Sequence, residues 1–319
     1  PNDRAPFDKL RAGSSTSSGQ AEDELSDALE RGEIVYFPEC PIALPPPEDL
    51  CFLREGLGGS LSRKNVSYYP DADRLVGLKA DPQVLQRAHR ALATYSRRVH
   101  AFLSSAMPRF FKEVRTGTTS FRPLEERGRD LKPHASNELV HVDAGAYGAT
   151  HGDRILRFFT NVHPAKDRVW TSKGTFPELY RRFGRAAGIT PRRPSPLEEG
   201  PLDRLYSGLI RGATRALPML RVIDSSPYDR RMRRFHNYMK DSPAFRADPQ
   251  GHREFSFRPF SSWMVLTDMV SHACISGQFA FADTFLIPLE NCRLREHSPY
   301  EVLTGRPELA KSLPIATSR

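Results

Sequence analysis

Two segments, Leu139-Val140-His141-Val142-Asp143 and Val270-Ser271-His272-Ala273-Cys274, decide how this chain is interpreted. Each is a short apolar run around a histidine, which is typical of a β-strand. In a strand, residues two apart point to the same face, so His141 and Asp143 can converge while Val142 packs behind them. Two imidazoles and one carboxylate on one face of an iron(II) ion leave positions open for a co-substrate and dioxygen. The segments therefore predict a non-haem iron site with His141, Asp143 and His272 as its metal-binding, catalytic residues.

Two other triplets of similar composition compete for this role, His151-Gly152-Asp153 and His252-Arg253-Glu254. The first follows a run of small residues and has a glycine at its centre, which favours a loop. The second comes directly after Asp248-Pro249-Gln250-Gly251, a turn signal, and is mostly charged. Strand context therefore favours the pair His141 and Asp143.

Length and composition indicate a globular chain. Its 319 residues are 39% hydrophobic, enough for a substantial core. Residues 1–19 end in a serine-rich run and are predicted to be a flexible tail, followed by a single domain over 20–319. No signal-peptide pattern and no apolar run of roughly 20 residues is present, so a cytoplasmic protein is expected. The four cysteines show no Cys-x-x-Cys spacing, which argues against a zinc ribbon.

Alternating apolar patterns predict a mainly β fold with helical additions. Helices are expected at about 20–30 and 81–106, and strands at about 34–37, 120–123, 138–143, 154–162, 254–260, 262–267 and 272–285. The stretch from about 164 to 250 is instead rich in arginine, proline and helical spacing, and we interpret it as a helical insertion. His236 lies on a helix of this stretch and is assigned to packing or to the surface. Strands on both sides of an insertion are typical of a double-stranded β-helix, the jelly-roll class that includes cupins.

The net charge of +9 predicts an acidic partner without identifying it. Nucleic acid, an anionic membrane and a phosphorylated substrate are all compatible, as is a simple solvated basic surface. No zinc-finger spacing or RNA-binding aromatic signature accompanies the charge, so nucleic acid is not expected as a partner.

The sequence around these candidate residues resembles that of a known family. The runs Ser120 to Glu125, Leu139 to Ala144, Gly152 to Pro164 and His272 to Phe279, with Arg168-Val169-Trp170, are similar to the Kdo hydroxylases. These are Fe(II)- and 2-oxoglutarate-dependent dioxygenases acting on 3-deoxy-D-manno-oct-2-ulosonic acid (Kdo), a sugar of bacterial lipopolysaccharide. The loop that begins at Gly145 departs from the family pattern, which leaves the role of residues 145–151 open.

The resemblance implies a site for 2-oxoglutarate, whose distal carboxylate needs a cationic partner. Many relatives place an arginine downstream of the distal histidine, but residues 282–287 contain no basic side chain. Arg157 is therefore our first choice and Arg154 our second, on the strand after Asp143. Arg122 and Gln278 are candidates to line the site. For each of the two strand arginines the alternative is an ordinary ion pair.

The implied reaction is hydroxylation of Kdo-lipid A, or of a lipopolysaccharide precursor, to the 3-hydroxy sugar Ko, with Fe(II), 2-oxoglutarate and O2. The arginine-rich stretch would then hold the enzyme against the anionic inner membrane of a Gram-negative bacterium. Two alternatives remain open at this level: a 2-oxoglutarate hydroxylase for another acidic substrate, and a metal-binding cupin without catalysis.

Overall fold

The computed structural model describes residues 18–145, 149–189 and 226–304. Most of the predicted tail and the middle of the predicted insertion lie outside these ranges. The described helices and strands, in chain order, are α1 (Ser18–Glu30), β1 (Val35–Phe37), α2 (Pro47–Glu55), β2 (Val66–Tyr69), β3 (Arg74–Val76), α3 (Pro82–Ala106), β4 (Arg115–Arg122), β5 (Arg154–Asn161), β6 (Arg168–Ser172), α4 (Phe176–Phe183), α5 (Pro227–Asp241), α6 (Pro243–Ala247), β7 (Arg253–Phe257), β8 (Ser262–Leu266), β9 (Ala273–Ser276), β10 (Ala280–Ile287) and α7 (Pro299–Thr304).

The strands form two antiparallel sheets. The larger has the order β1-β8-β5-β10-β4-β2-β3, and the smaller has the order β7-β6-β9. In the middle of the larger sheet, β5 and β10 pair along their whole lengths, with Arg154 opposite Ile287 and Asn161 opposite Ala280. Strands adjacent in a sheet are mostly distant in sequence, as expected when the chain passes repeatedly between two sheets.

Aromatic side chains fill the space between the two sheets. The indole of Trp170, on β6, lies edge-to-face against Phe159 of β5 with ring centroids 4.8 Å apart. Trp263 of β8 stacks on Phe257 of β7 at 3.8 Å. Such pairs add about 0.5–1.5 kcal/mol each to the stabilisation from burial alone. These rings therefore fill much of the space between the sheets at this level.

Helix α3 covers the opposite face of the larger sheet. Asp81 caps its first turn by accepting hydrogen bonds from the amides of Gln83 and Val84. The apolar stripe of the helix is buried, and its Tyr95 ring stacks on Phe281 of β10 with centroids 4.1 Å apart. Because one face of the sheet is occupied by this helix, only the face toward the smaller sheet is available for a cavity.

Most predicted elements are present, with three differences. The predicted strand 138–143 does not form, because of these residues only His141 pairs, in an isolated bridge. In the range 164–250, strand β6 precedes the helices α4, α5 and α6. Residues 168–172 pair with β7 on one side and β9 on the other, as the central strand of the smaller sheet. The predicted strand 272–285 is two strands, β9 and β10, separated at Gly277, whose φ is +141°. On α5, Tyr228, Met232, Phe235 and Met239 are buried, at helical spacing. Among the described helices, none is long and apolar enough to span a bilayer.

Asp283 is a fully buried carboxyl group in β10. It accepts a hydrogen bond from the Thr119 hydroxyl, while its Oδ2 has no partner among the described residues. Burial raises the pKa of Asp283 to about 8. An aspartate in an unfolded chain has a pKa of about 3.9. The folded state therefore holds this proton more tightly, and the associated stability is lost as pH rises from about 4 to about 8.

We expect Asp283→Asn to be more stable than the native chain at pH 7 by about 2–4 kcal/mol, because the amide does not have to take up a proton when the chain folds. The difference in free energy of unfolding should shrink toward pH 4 and be largest above pH 8. Urea unfolding at several pH values measures it, with the exposed Asp71→Asn as control. A stability difference that does not change with pH would contradict this assignment.

Candidate metal centre and cavity

A backbone pair brings the two predicted histidines together. His141 and His272 form an isolated antiparallel bridge, with amide-to-carbonyl distances of 3.1 and 2.8 Å. Directly opposed residues in an antiparallel pair project their side chains to the same face. The ring centroids are accordingly 4.7 Å apart.

Asp143 completes the group from two residues along the chain. Its amide donates to the carbonyl of Thr267 over 2.8 Å, which holds the segment against the end of β8. The side chain of Asp143 places Oδ1 3.7 Å from Nε2 of His141. One potential ligand atom from each of His141, Asp143 and His272 lies within 4.8 Å of the others. The spacing fits a single ion.

Both imidazoles have their outer nitrogens fixed. Nδ1 of His141 donates to the carbonyl of Leu139 over 2.7 Å, and Nδ1 of His272 donates to that of Val270 over 3.0 Å. A carbonyl only accepts, so each Nδ1 carries the proton and each Nε2 keeps a lone pair. Such second hydrogen bonds are typical of metal-binding histidines.

The protonation states suit a divalent cation. Burial lowers the pKa values of both His141 and His272, so the two rings are neutral at physiological pH. Burial alone would raise the pKa of Asp143, but the adjacent Arg157 guanidinium holds it well below its usual range. The group is therefore two neutral nitrogen donors and one carboxylate anion.

The competing triplets do not form such a group. His151 lies in a turn with φ of +55°, and Asp153 pairs with Arg115 at 2.7 Å. His252 is exposed before β7. In the described ranges, the cluster of His141, Asp143 and His272 is the one that places three such side chains close enough to hold an ion.

The triad opens into a cavity between the sheets. Its lining residues are Arg122, Asn137, His141, Asp143, Arg157, Phe159, Arg168, Trp170, His272 and Cys274. Of the four residues predicted to bind the co-substrate, Arg122 and Arg157 are in this set. Arg154 and Gln278 are not.

Arg157 and Arg154 lie on opposite faces of β5. Nε of Arg157 donates to Oδ2 of Asp143 over 2.7 Å, at the edge of the triad. Arg154 is fully buried on the other face, where its Nε donates to Oδ2 of Asp268 over 2.6 Å. Gln278 also points away from the cavity, donating to the carbonyl of Pro123 over 2.8 Å. The structure therefore leaves Arg154 and Gln278 outside the site, each with its own protein partner.

A buried carboxylate, Glu126, gathers three arginines beside the cavity. Its oxygens lie 3.4 Å from Arg122, 3.4 Å from Arg168 and 3.5 Å from Arg129. It also accepts hydrogen bonds from the amide of Asn137. Burial alone would raise the pKa of Glu126, but Arg122 and Arg168 hold it below its ordinary value. One carboxylate among three guanidinium groups leaves positive charge facing the cavity.

Three N–H groups on cavity-lining residues are buried without an acceptor among the described residues: Nε of Arg122, Nε of Arg168 and Nε1 of Trp170. Buried donors are nearly always satisfied in folded proteins. Arg168 and Trp170 were missed as site residues because their strand was assigned to the helical insertion. Their spacing of two is the signal that could have revealed them.

A family model describing 3-deoxy-D-manno-oct-2-ulosonic acid (Kdo) hydroxylases matches residues 13–307. The chain belongs to the Kdo hydroxylase family. A search of curated protein sequences found no match. The assignment confirms the family predicted from the sequence.

Solved structures agree with this membership. The Kdo hydroxylase KdoO, described as a non-haem Fe(II) α-ketoglutarate-dependent dioxygenase, in complex with α-ketoglutarate and Fe(III), aligns with a TM-score of 0.72 and 26% identity over 91% of this chain and 90% of its own. The KdoO complex with cobalt(II) aligns with a TM-score of 0.74 and 26% identity, covering 96% and 95%. A complex with succinate and Fe(III) is equally similar, at 0.72 and 26%. The predicted jelly-roll fold and dioxygenase class are confirmed, and α-ketoglutarate is the predicted 2-oxoglutarate.

Proposed function

We propose that this Kdo hydroxylase family member converts the Kdo sugar of Kdo-lipid A, or of a lipopolysaccharide precursor, to its 3-hydroxy derivative Ko. Family membership supports the sugar, and the solved relatives support the metal and the co-substrate. The observation that carries the proposal for this chain is an excess of buried positive charge around the three side chains that could bind a metal ion.

The metal would be held by His141, Asp143 and His272. When bound, iron(II) would supply the activation of dioxygen that is coupled to oxidative decarboxylation of 2-oxoglutarate. The protein orients the ligands through the carbonyls of Leu139 and Val270, and through Arg157, which fixes one oxygen of Asp143. Trp170 stacks on the His272 ring at 5.1 Å and shields the cluster from water on that side.

The co-substrate would lie against the cavity arginines. Its two carboxylates need donors, and the unpartnered Nε groups of Arg122 and Arg168 with Nε1 of Trp170 provide them. Arg157 keeps its predicted role at the 2-oxoglutarate site and also positions Asp143. A hydrogen bond to a charged group is worth about 1.5–3 kcal/mol, or about 10–100-fold in affinity.

The charge balance points to an acidic acceptor. Three cations and one carboxylate are among the residues that line the cavity: Arg122, Arg157 and Arg168 against Asp143. The difference, 3 − 1, is two positive charges. An iron(II) ion and a 2-oxoglutarate dianion cancel one another, so loading both leaves this excess in place. A sugar that carries a carboxylate would neutralise part of it.

The same excess of positive charge in the cavity supports a second candidate function, a 2-oxoglutarate hydroxylase for another acidic substrate. Substrate profiling separates the two, because both would form succinate but only one would oxidise Kdo. A preference for a non-Kdo acid by more than about tenfold in kcat/KM would favour this alternative.

The basic exterior supports contact with an anionic membrane from the cytoplasmic side. Arg181, Arg185 and Arg234 are exposed, on or near α4 and α5, within the arginine-rich stretch. Each basic residue near such a surface contributes about 1 kcal/mol. Sedimentation with anionic liposomes tests this membrane contact. If the protein is not retained by the liposomes, or if its retention does not weaken with salt, the membrane contact is contradicted.

The decisive experiment incubates the protein with iron(II), ascorbate, 2-oxoglutarate and Kdo-lipid A. Mass spectrometry should find one added oxygen on the sugar, with an equal amount of succinate. A His141→Ala sample should give neither product. Identical results from wild type and His141→Ala would overturn the proposal.

Gly277 provides a test of the arginine site. Its φ is +141°, and a Cβ there would lie 2.6 Å from Cγ of Arg168, whose Nη1 donates to the Gly277 carbonyl over 3.1 Å. We expect Gly277→Ala to displace Arg168 and to raise the KM for 2-oxoglutarate by about 10-fold or more. Steady-state succinate formation measures it. Gly128→Ala, at φ of +72° with no atom near the added Cβ, controls for backbone strain alone, and an equal KM for both variants would contradict the prediction.

A further inference from the structure

The segment that carries His141 and Asp143 has little secondary structure of its own. Between β4 and β5, residues 123–153 contain one described helical turn, Pro133–Ala135, and the single bridge to His272. The amide of Asp143 and the carbonyl of Asn137 add one backbone bond each, to Thr267 and Cys274. On this side the described part of the segment has no strand ladder to fix it.

Helix α5 contacts the same segment from the other side along its length. Near its start, Asp229 accepts from the amide of Thr150 at 2.7 Å and from that of His151 at 3.1 Å. Near its end, Nζ of Lys240 donates to the carbonyls of His134 and Ser136 over 3.2 and 3.0 Å. The helix therefore holds both ends of the ligand segment.

The central contact is His236. Its Nδ1 lies 2.7 Å from the carbonyl of Val142, the residue between the two proposed ligands. Because a carbonyl only accepts, Nδ1 must carry the proton and donate. The His236 ring also lies edge-on to the His141 ring, with centroids 4.9 Å apart. Residues 229, 236 and 240 are 7 and 4 apart, so they share one face of the helix.

We propose that α5 positions the metal site, with His236 as its principal positioning residue. Fixing the Val142 carbonyl sets the local backbone, and with it the directions of the His141 and Asp143 side chains on either side. This role differs from packing, which Met232, Phe235 and Met239 perform on the neighbouring face. The inference rests on the proposed metal ligands. It gives His236 a specific task, where the sequence alone suggested packing or surface.

The test measures metal affinity of the apo protein with cobalt(II), followed by its visible absorption. His236→Phe keeps a ring of similar size and removes the donor, so affinity should fall by about 10–100-fold, as for other groups that orient metal ligands. His236→Asn returns an N–H donor near the Nδ1 position and should bind within a few-fold of wild type. His252→Phe, at an exposed histidine, should bind like wild type.

Thermal unfolding in EDTA separates positioning from stability. A variant that loses affinity only because it unfolds will show a lower melting temperature without metal, and His236→Asn will not rescue it. Wild-type affinity in His236→Phe, or equal loss in His236→Phe and His236→Asn, would overturn the proposal. If wild type and His141→Ala bind cobalt(II) equally, the metal assignment itself fails, which is a different result.

Discussion

Replacing Asp143 by alanine should abolish hydroxylation, whereas replacing Asp153 should leave it close to wild type. Asp143 lies within 4.8 Å of both ligand histidines, and its loss removes the one anionic ligand and also the ion pair between Asp143 and Arg157. Mutations of groups that merely support a ligand cost about 10–100-fold, so loss of the ligand should exceed 100-fold. Asp153 forms a partly exposed pair with Arg115, worth about 0–1 kcal/mol.

The measurement is succinate and hydroxylated sugar formed per minute, alongside cobalt(II) affinity of each apo protein. Asp143→Asn serves as a further variant, because it keeps the volume and changes only the charge. Equal losses in the Asp143 and Asp153 variants would show that both residues act through stability. Full activity in Asp143→Ala would remove it from the metal site.

The second large effect separates two arginines three residues apart on β5. Arg154→Met should lower the free energy of unfolding by about 3–5 kcal/mol, because it leaves Asp268 buried without its cation. The KM for 2-oxoglutarate should stay near wild type in the protein that remains folded. Arg157→Gln should do the reverse, raising that KM by about 10–100-fold with a smaller change in stability.

Urea unfolding and steady-state kinetics on both variants decide the matter. Arg157→Met introduces the same side chain as Arg154→Met on the same strand. A difference in KM between these two variants therefore reflects the position and not the residue introduced. If Arg154→Met raises the KM as much as Arg157→Met does, the two faces of β5 have been assigned incorrectly.

The three proposed metal ligands could be predicted from the sequence because the alternation of side chains along a strand is a local rule. Alternation along Leu139–Asp143 and the apolar context of His272 are visible in the chain, and the loop and turn signals around the competing triplets argue against them. Alternation also placed Arg154 and Arg157 on opposite faces. It could not say which face meets the cavity, because both faces of β5 are buried and apolar residues occupy each.

The rest of the site depends on contacts between distant segments. Glu126 gathers Arg122, Arg129 and Arg168 only after β4 and β6 come together, and no local pattern signals that. The strand of Arg168 is five residues long and lies at the edge of an arginine- and proline-rich stretch, so regional composition hid it. His236 looks like any histidine on an amphipathic helix until the carbonyl of Val142 is placed beside it.

The bridge between His141 and His272 also concerns the folding of the chain. It joins positions 272 − 141 = 131 residues apart, so its formation closes a very long loop. Such closure has a substantial entropic cost for the unfolded chain, and an ion bound by both side chains would act as a cross-link that offsets it. Metal at 100 times its dissociation constant would add about 2.7 kcal/mol to stability. We therefore expect the metal to protect the enzyme against proteolysis as well as to enable catalysis, joining the two halves of the chain at the point where they meet.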